Sequence, residues 1–229
     1  MSTIVDVVSA LELLKKYEVH VARSRYVDSA EDAIAFSERR NAPDPRFVPI
    51  VLRVAVPGRL GEASQFETIL TTEQDVRTEY DALAGAARAS GGRLLAQALP
   101  ERGTDIAIVG ETDEGQKFVA TGSGPDRMRK SVPLGAADAQ VLADRIRAHH
   151  HRVPTEQMRR MLVHVFARIS KLLDETAVSE LVVTLRAHEN GYTVIDAMMS
   201  ALRPLHFKER LDPRAHDRKG DDYHPSGRQ

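Results

Sequence analysis

Asp196 is a candidate functional residue, because its carboxylate lies in a strand-like stretch of mostly apolar residues from Glu180 to Met199. Asn190-Gly191 supplies the two positive-φ positions of a tight turn, and β-branched or apolar residues flank it, so the stretch is predicted to be a β-hairpin. A carboxylate among apolar neighbours needs a cation, a donor network or water, because burying a lone charge is costly. Taken alone, the pattern favours a solvated face with Asp196 at its edge. Because side chains in a strand alternate between its two faces, four residues of the return strand are predicted to share one face: Tyr192, Val194, Asp196 and Met198.

A second candidate is the arginine that interrupts an apolar run from Val48 to Val56. Such a run predicts a strand covered on both faces, with Arg53 projecting into a cleft. An equally good interpretation puts Arg53 at a strand edge, with its guanidinium extended to water.

Two further groups are weaker candidates. Gly122-Ser123-Gly124, followed by Arg127, Arg129 and Lys130, could hold a phosphate, but a turn and a solvated basic loop are favoured. The histidines at 149–151 suggest a metal, but adjacent residues at a helix end point in different directions. A polar helix end is therefore favoured over a metal site.

Composition limits the class of protein. The chain has 229 residues, 42% of them apolar and 28% charged, as in an ordinary soluble globular protein. The net charge is -1, so the chain lacks the excess of basic residues that would indicate nucleic-acid binding. The absence of cysteine excludes disulfides and zinc–thiolate sites. No apolar run approaches the length of a membrane span, and a cytoplasmic location is expected.

Periodicity and capping signals predict an α+β chain with antiparallel strands. We expect a smaller lobe over 1–90, a larger lobe over 91–202 and a charged tail over 203–229. Short connections predict that the strands at 93–99, 104–110 and 117–121 are antiparallel neighbours. A capping-box-like start at Asp28 predicts the second helix. The expected helices cover 5–17, 28–39, 73–89, 136–148 and a long segment from Thr155, and the remaining strands cover 19–22, 48–56, 66–70 and the hairpin.

This order of elements, with particular residues, resembles the ATP-grasp domain of NDP-forming acyl-CoA synthetases. The most similar type is the beta subunit of ADP-forming acetate–CoA ligase, which is related to the succinyl-CoA synthetase beta subunit. The resemblance covers roughly 5–200 and implies an ATP-grasp-like fold with two sub-lobes. It rests on 10–17 (ALELLKKY), 28–33 (DSAEDA), 48–54 (VPIVLRV), 94–100 (LLAQALP), 103–110 (GTDIAIVG), 179–181 (SEL) and 194–197 (VIDA).

The resemblance also implies roles for individual residues, with ATP and Mg²⁺ as cofactors. Arg53 stands where the family has a phosphate-contacting lysine, and it offers a planar fork in place of a point charge. Gln97 lies in the linker against which adenine packs, and Asp105 replaces a glutamate near the nucleotide. Asp196 matches the aspartate that holds magnesium. Thr184 replaces the asparagine that shares this metal, and a hydroxyl is a poorer ligand than an amide carbonyl.

The sequence departs from the family pattern at two points, and these differences leave two functional hypotheses. The family's His-Lys-Ser-Asp loop, which helps relay a phosphoryl group from a phosphohistidine on the alpha subunit, falls at Gly58–Ser64, where there is no histidine. The glycine-rich stretch of the family is shortened to 121–125. One hypothesis is an ATP-dependent acyl-CoA synthetase subunit. The other is a catalytically degenerate ATP-grasp fold that acts as a non-enzymatic subunit or interaction module.

The expected partners follow from the same resemblance. They are a CoA-binding alpha-type subunit or another protein, in an oligomeric assembly, with the charged tail as a docking arm. Neither nucleic acid nor a membrane is an expected partner.

Overall fold

The structure is a computed structural model, and it describes residues 2–38, 47–57, 68–98, 103–122, 127–149, 156–188 and 191–202. Its helices are α1 (Val7–Lys16), α2 (Ala30–Ser37), α3 (Glu73–Ser90), α4 (Ala136–His149) and α5 (Glu156–Glu175). Its strands are β1 (Thr3–Val5), β2 (Ser24–Tyr26), β3 (Ile50–Ala55), β4 (Ile69–Leu70), β5 (Arg93–Ala98), β6 (Thr104–Asp113), β7 (Gln116–Thr121), β8 (Met128–Ser131), β9 (Val178–His188) and β10 (Gly191–Ala201).

The strands form two antiparallel sheets. One has six strands in the order β1-β10-β9-β6-β7-β8, and the other has four in the order β2-β5-β3-β4. Helices cover one face of each sheet. In the six-stranded sheet, β6 and β9 largely alternate more buried and more exposed residues, whereas β3 and β5 of the four-stranded sheet carry consecutive buried residues and are covered on both faces. The predicted α+β class with antiparallel sheets flanked by helices is therefore confirmed.

Two apolar cores hold these layers together. The larger core packs α1, α4 and α5 on the six-stranded sheet, with Phe166 fully buried near its centre. The smaller core packs α2 and α3 on the four-stranded sheet around Ile50 and Val76. The other face of the four-stranded sheet carries the buried apolar residues Val51 and Leu95 together with Arg53 and Gln97.

Local signals predict the helices well. Thr72 caps α3 in a capping box with Asp75, and Gly91 ends that helix in the left-handed conformation at φ 66°. At α2 the prediction is off by one residue, since the cap is Ser29, whose side chain accepts from the Asp32 amide.

Two strand predictions are wrong. Residues 19–22 form no strand, and Val21 makes only an isolated bridge to Val194. The strand at 93–99 is β5, but it is not a neighbour of β6, because it pairs with β3 and β2 in the other sheet. Each sheet therefore draws strands from both sides of residue 90, and the division into lobes at that point stays a prediction.

The predicted hairpin is present as β9 and β10, but its turn is shifted, because Gly191, predicted as a turn residue, begins β10 and pairs with His188. Asn190 lies outside the described residues. A bulge at Ile195 shifts the register between Val194 and Asp196. The extra residue reverses the alternation, so Val194 and Ala197 both belong to the larger core while Asp196 faces the opposite side. The prediction that Val194 and Asp196 share a face is therefore wrong.

Candidate functional site

The candidate site lies where β3 of the four-stranded sheet meets β10 of the six-stranded sheet. The Arg53 side chain is only 7% exposed, and its Nη2 lies 3.0 Å from Asp196 Oδ1. The same Nη2 donates to the carbonyl oxygen of Ile195 at 3.2 Å. Arg53 therefore projects inward and joins the two sheets, as the cleft interpretation predicts, and its guanidinium is not extended to water.

The bulge explains why the Ile195 carbonyl accepts these bonds. A bulged residue is left out of the β9–β10 ladder, so its polar groups need other partners. Gln97 supplies the second donor: its Nε2 lies 2.8 Å from Ile195 O and 2.8 Å from Ser24 Oγ. Gln97 is 1% exposed, and both bonds satisfy an amide that burial would otherwise leave without partners.

Thr184 lies directly across from Asp196 in the β9–β10 ladder. On the other side of Thr184, β6 presents Ala107 at the same level. The Asp196 carboxylate also accepts from the backbone amide of Ala197 at 2.9 Å. The structure thus brings Arg53, Gln97, Asp196 and Thr184 to one place, but the roles assigned to them stay predictions.

Asp105 is engaged elsewhere. Its carboxylate accepts two bonds from Arg186, from Nε at 2.7 Å and from Nη2 at 2.9 Å. The two residues are cross-strand partners in β6 and β9, one side-chain level away from Thr184 on the same sheet face. A nucleotide contact at Asp105, as predicted, would therefore compete with the bidentate ion pair that already holds this carboxylate.

The basic residues after Gly122 are paired with carboxylates. Arg127 pairs with Glu111, and Arg129 Nη1 lies 2.9 Å from Asp113 Oδ2. Lys130 Nζ lies 2.9 Å from Asp138 Oδ1. These partly exposed ion pairs match the solvated interpretation, but the segment is not a loop, because Arg129 and Lys130 lie in strand β8, which pairs with β7. Residues 123–126 lie outside the described part of the chain.

The donor set does not fit a magnesium ion. Mg²⁺ prefers octahedral oxygen ligands and is commonly held through one or two carboxylates. Here Asp196 is the acidic side chain that the structure places across from Thr184, and it is paired with a guanidinium. Within the part of the chain that the structure describes, no three histidine or acidic side chains are grouped to hold a metal. His150 and His151 lie outside that part, as does the loop at 58–64.

The site fits a nucleotide phosphate better than it fits a magnesium ion, because Arg53 Nε is available as a donor. Arg53 Nε is buried and has no hydrogen-bond partner among the described residues. A phosphate oxygen is an acceptor that could satisfy this N–H. The structure therefore retains a donor for an oxyanion at the position where the resemblance implies a phosphate contact.

Sequence reasoning missed three contributors to this region. Ser24 accepts from Gln97, the Ile195 carbonyl accepts from two side chains, and Arg186 holds Asp105. Only Arg186 carried a signal, because a basic residue in one strand is a natural cross-strand partner for an acidic one. The strand register that places Asp105 across from Arg186 is seen only in the structure.

Comparison with known proteins adds information on the fold. No protein-family model and no curated protein matches the sequence. The acetyl-coenzyme A synthetase 1 of Candidatus Korarchaeum cryptofilum, in complex with coenzyme A, Ca-AMPCP and HgCl⁺, is 19% identical at a TM-score of 0.68, covering 88% of this chain and 93% of that chain. A Pyrococcus horikoshii protein is 16% identical at a TM-score of 0.68, covering 89% and 93%.

A third structure is the same synthetase with coenzyme A, acetyl-coenzyme A and a phosphorylated phosphohistidine segment. It is 19% identical at a TM-score of 0.68 and covers 87% of this chain and 93% of that chain. Among the described helices, none is long and apolar enough to cross a membrane. At these identities the similarity shows the fold alone, and that fold is of the ATP-grasp type.

Proposed function

We propose that this chain is a divergent ATP-grasp protein that acts without ligase chemistry, as a non-enzymatic subunit or interaction module of a larger complex. The observation that carries the proposal is the ion pair between Arg53 and Asp196. The cation expected to meet phosphates and the carboxylate expected to hold magnesium neutralise each other. Phosphoryl transfer depends on placing both groups around a metal–nucleotide complex, and this pair opposes that arrangement.

The sequence supports the same proposal at a second point. The segment expected to relay a phosphoryl group, Gly58–Ser64, contains no histidine. Without that residue, a phosphoryl group on a partner protein has no histidine in the segment to accept it. Loss of the relay and neutralisation of the metal ligand affect different steps of the ligase cycle, so they are independent arguments.

The proposed partner is a CoA-binding alpha-type subunit or another protein, in an oligomeric assembly in the cytoplasm. Similarity of fold to an acetyl-coenzyme A synthetase that was solved with coenzyme A and a phosphohistidine segment supports this class of partner. The charged tail at 203–229 is the proposed docking arm, since its low apolar content favours contact with a partner over folding alone.

The second candidate function is an ATP-dependent acid–CoA ligase subunit. The buried Arg53 Nε favours it, because this donor lacks an acceptor that a nucleotide could supply. In that function Arg53 would bind phosphate, and Asp196 with Thr184 would hold Mg²⁺, with Gln97 and Asp105 near the nucleotide.

Isothermal titration of ATP onto the purified chain separates the two functions. The titration is run with Mg²⁺, with EDTA, and again on Asp196→Asn. The non-catalytic proposal predicts that ATP binds no more tightly with Mg²⁺ than with EDTA. Tight binding that requires Mg²⁺ and is abolished by Asp196→Asn would overturn it and support the ligase.

A further inference from the structure

The connection between α1 and β2 is bonded to the first part of β10. The His20 carbonyl oxygen accepts from the Val194 amide at 2.9 Å, and the Ala22 amide donates to the Val194 carbonyl oxygen at 2.8 Å. These two bonds form the isolated parallel bridge between Val21 and Val194. Val194 directly precedes the bulge at Ile195. The connection therefore holds β10 at the point where the bulge begins.

Two imidazoles and a phenol lie at this contact. The rings of His20 and Tyr192 pack edge to face with their centroids 6.4 Å apart, and the Tyr192 hydroxyl accepts from the His20 amide at 3.4 Å. On β9, His188 Nε2 lies 3.4 Å from Thr193 Oγ1. Two of the side chains at this end of β10 are therefore histidines, whose charge changes near neutral pH.

Charged groups reach the same contact from α5. Arg168 pairs with Glu18 of the connection, and its Nε lies 3.4 Å from His164 Nε2. The Glu18 carboxylate is therefore already balanced by a guanidinium. Protons on His20 and His188 would add positive charge near that cation, and like charges repel.

The environment of His20 favours its neutral form. Desolvation of the part of the ring that packs on the protein lowers the pKa of His20, and the nearby His188 lowers it further. The folded pKa thus lies below the ordinary value of 6.5, so a form in which His20 is released binds a proton more readily. The contact is complete above about pH 6.5 and is weakened as the pH falls through the folded pKa.

We propose that His20 and His188 form an acid-sensitive clamp, in which protonation of the two imidazoles loosens the connection from β10 and with it the bulge that orients Asp196. The clamp acts through the backbone of Val194, so it requires no movement of a whole sheet. Its consequence rests on the proposed function, since it alters the site where Arg53 and Asp196 meet. The two histidines are positioning residues, because they act on that site through β10.

The test is amide hydrogen exchange followed by NMR at about pH 7.5 and about pH 5.5. The amides of Ala22 and Val194 make the bonds of the clamp, and the Ala197 amide donates to Asp196 beyond the bulge. After correction for the intrinsic pH dependence of exchange, the protection factors of all three are expected to fall at the lower pH. The limiting fall is about tenfold for each unit by which the imidazole pKa is lower in the closed form than in the open form. The Val76 amide of α3, which packs on the four-stranded sheet, is expected to keep its protection.

Three variants identify the titrating group. His20→Gln keeps the two bonds of the clamp, which the backbone makes, and removes the ring, so the three amides are expected to be protected equally at both pH values. His188→Gln removes the second positive charge and is expected to reduce the fall. The matched control is His164→Gln, which removes an exposed imidazole beside Arg168 on α5 and is expected to keep the wild-type fall.

Several results would overturn the clamp. Equal protection of the wild-type chain at both pH values would do so, as would a fall that persists in His20→Gln or disappears in His164→Gln. A fall at Ala22 and Val194 that spares Ala197 would show that the contact does not act on the bulge. An equal fall at Val76 would report unfolding of the whole chain. Exchange requires neither nucleotide nor partner, so each of these results leaves the proposed function standing, and the titration with ATP tests that function separately.

Discussion

Replacement of Asp196 by alanine is expected to lower the free energy of unfolding by about 3 kcal/mol. At 3.0 Å and an effective dielectric constant of about 20, Coulomb's law gives an attraction of about 5 kcal/mol before desolvation is subtracted. Breaking a buried pair from one side costs roughly 3–5 kcal/mol, because the remaining charge stays buried. The Asp196 side chain is 15% exposed, so water can partly solvate this region and the lower end of that range applies.

Urea unfolding followed by circular dichroism measures this loss, which corresponds to a fall in Tm of roughly 6–12 °C for a chain of this size. The matched control is Glu31→Ala, which breaks the exposed pair with Arg77 and is expected to leave the urea midpoint unchanged. The double variant Arg53→Met with Asp196→Leu removes both charges and is expected to be more stable than Asp196→Ala. An Asp196→Ala variant as stable as the control would refute a tightly coupled buried pair.

Three further predictions concern the framework. A Cβ at Gly103 would lie 2.1 Å from the Ala187 carbonyl oxygen, so Gly103→Ala is expected to destabilise the chain by about 1–3 kcal/mol in urea unfolding. Gly85 lies within α3 with open space around it, so Gly85→Ala is expected to stabilise the chain by about 1 kcal/mol. Equal effects of the two substitutions would contradict this packing. Thr72→Ala removes the cap of α3 and is expected to cost about 1 kcal/mol in the same assay; no loss would show that the cap contributes nothing. Burial, with the nearby Asp6 carboxylate, raises the pKa of Tyr26 to about 12. The folded pKa lies above the unfolded value, so this stabilisation is complete below pH ~10 and is lost as pH rises through about 12. Tyr26→Phe is expected to flatten the fall in stability across that window, and an unchanged alkaline slope would refute it.

The sequence predicts elements whose signals are local. Helix α3 is predicted nearly to its ends, because Thr72 and Gly91 act through backbone groups a few residues away. The pairing of β5 with β3 was missed, since short connections favour pairing with the next strand and the choice of partner depends on the whole sheet. Sequence proximity was therefore the wrong guide to topology here.

The candidate site was predicted in part. Arg53, Gln97 and Asp196 meet, and Thr184 lies across from Asp196, as the resemblance implies. The bulge at Ile195 was missed because one extra residue in a ladder leaves no mark in a two-residue pattern. The direct pairing of Arg53 with Asp196 was also missed, because it depends on how closely the two sheets approach.

The cation beside Asp196 is the Arg53 guanidinium, and we expect that no metal ion binds this carboxylate. Manganese electron paramagnetic resonance tests this directly, because Mn²⁺ takes the same oxygen ligands as Mg²⁺ and its free signal falls on binding. We expect that the folded chain does not lower the free Mn²⁺ signal below that of a matched solution without protein, with or without ADP. Loss of the signal equivalent to one ion per chain, restored by Asp196→Asn, would contradict it.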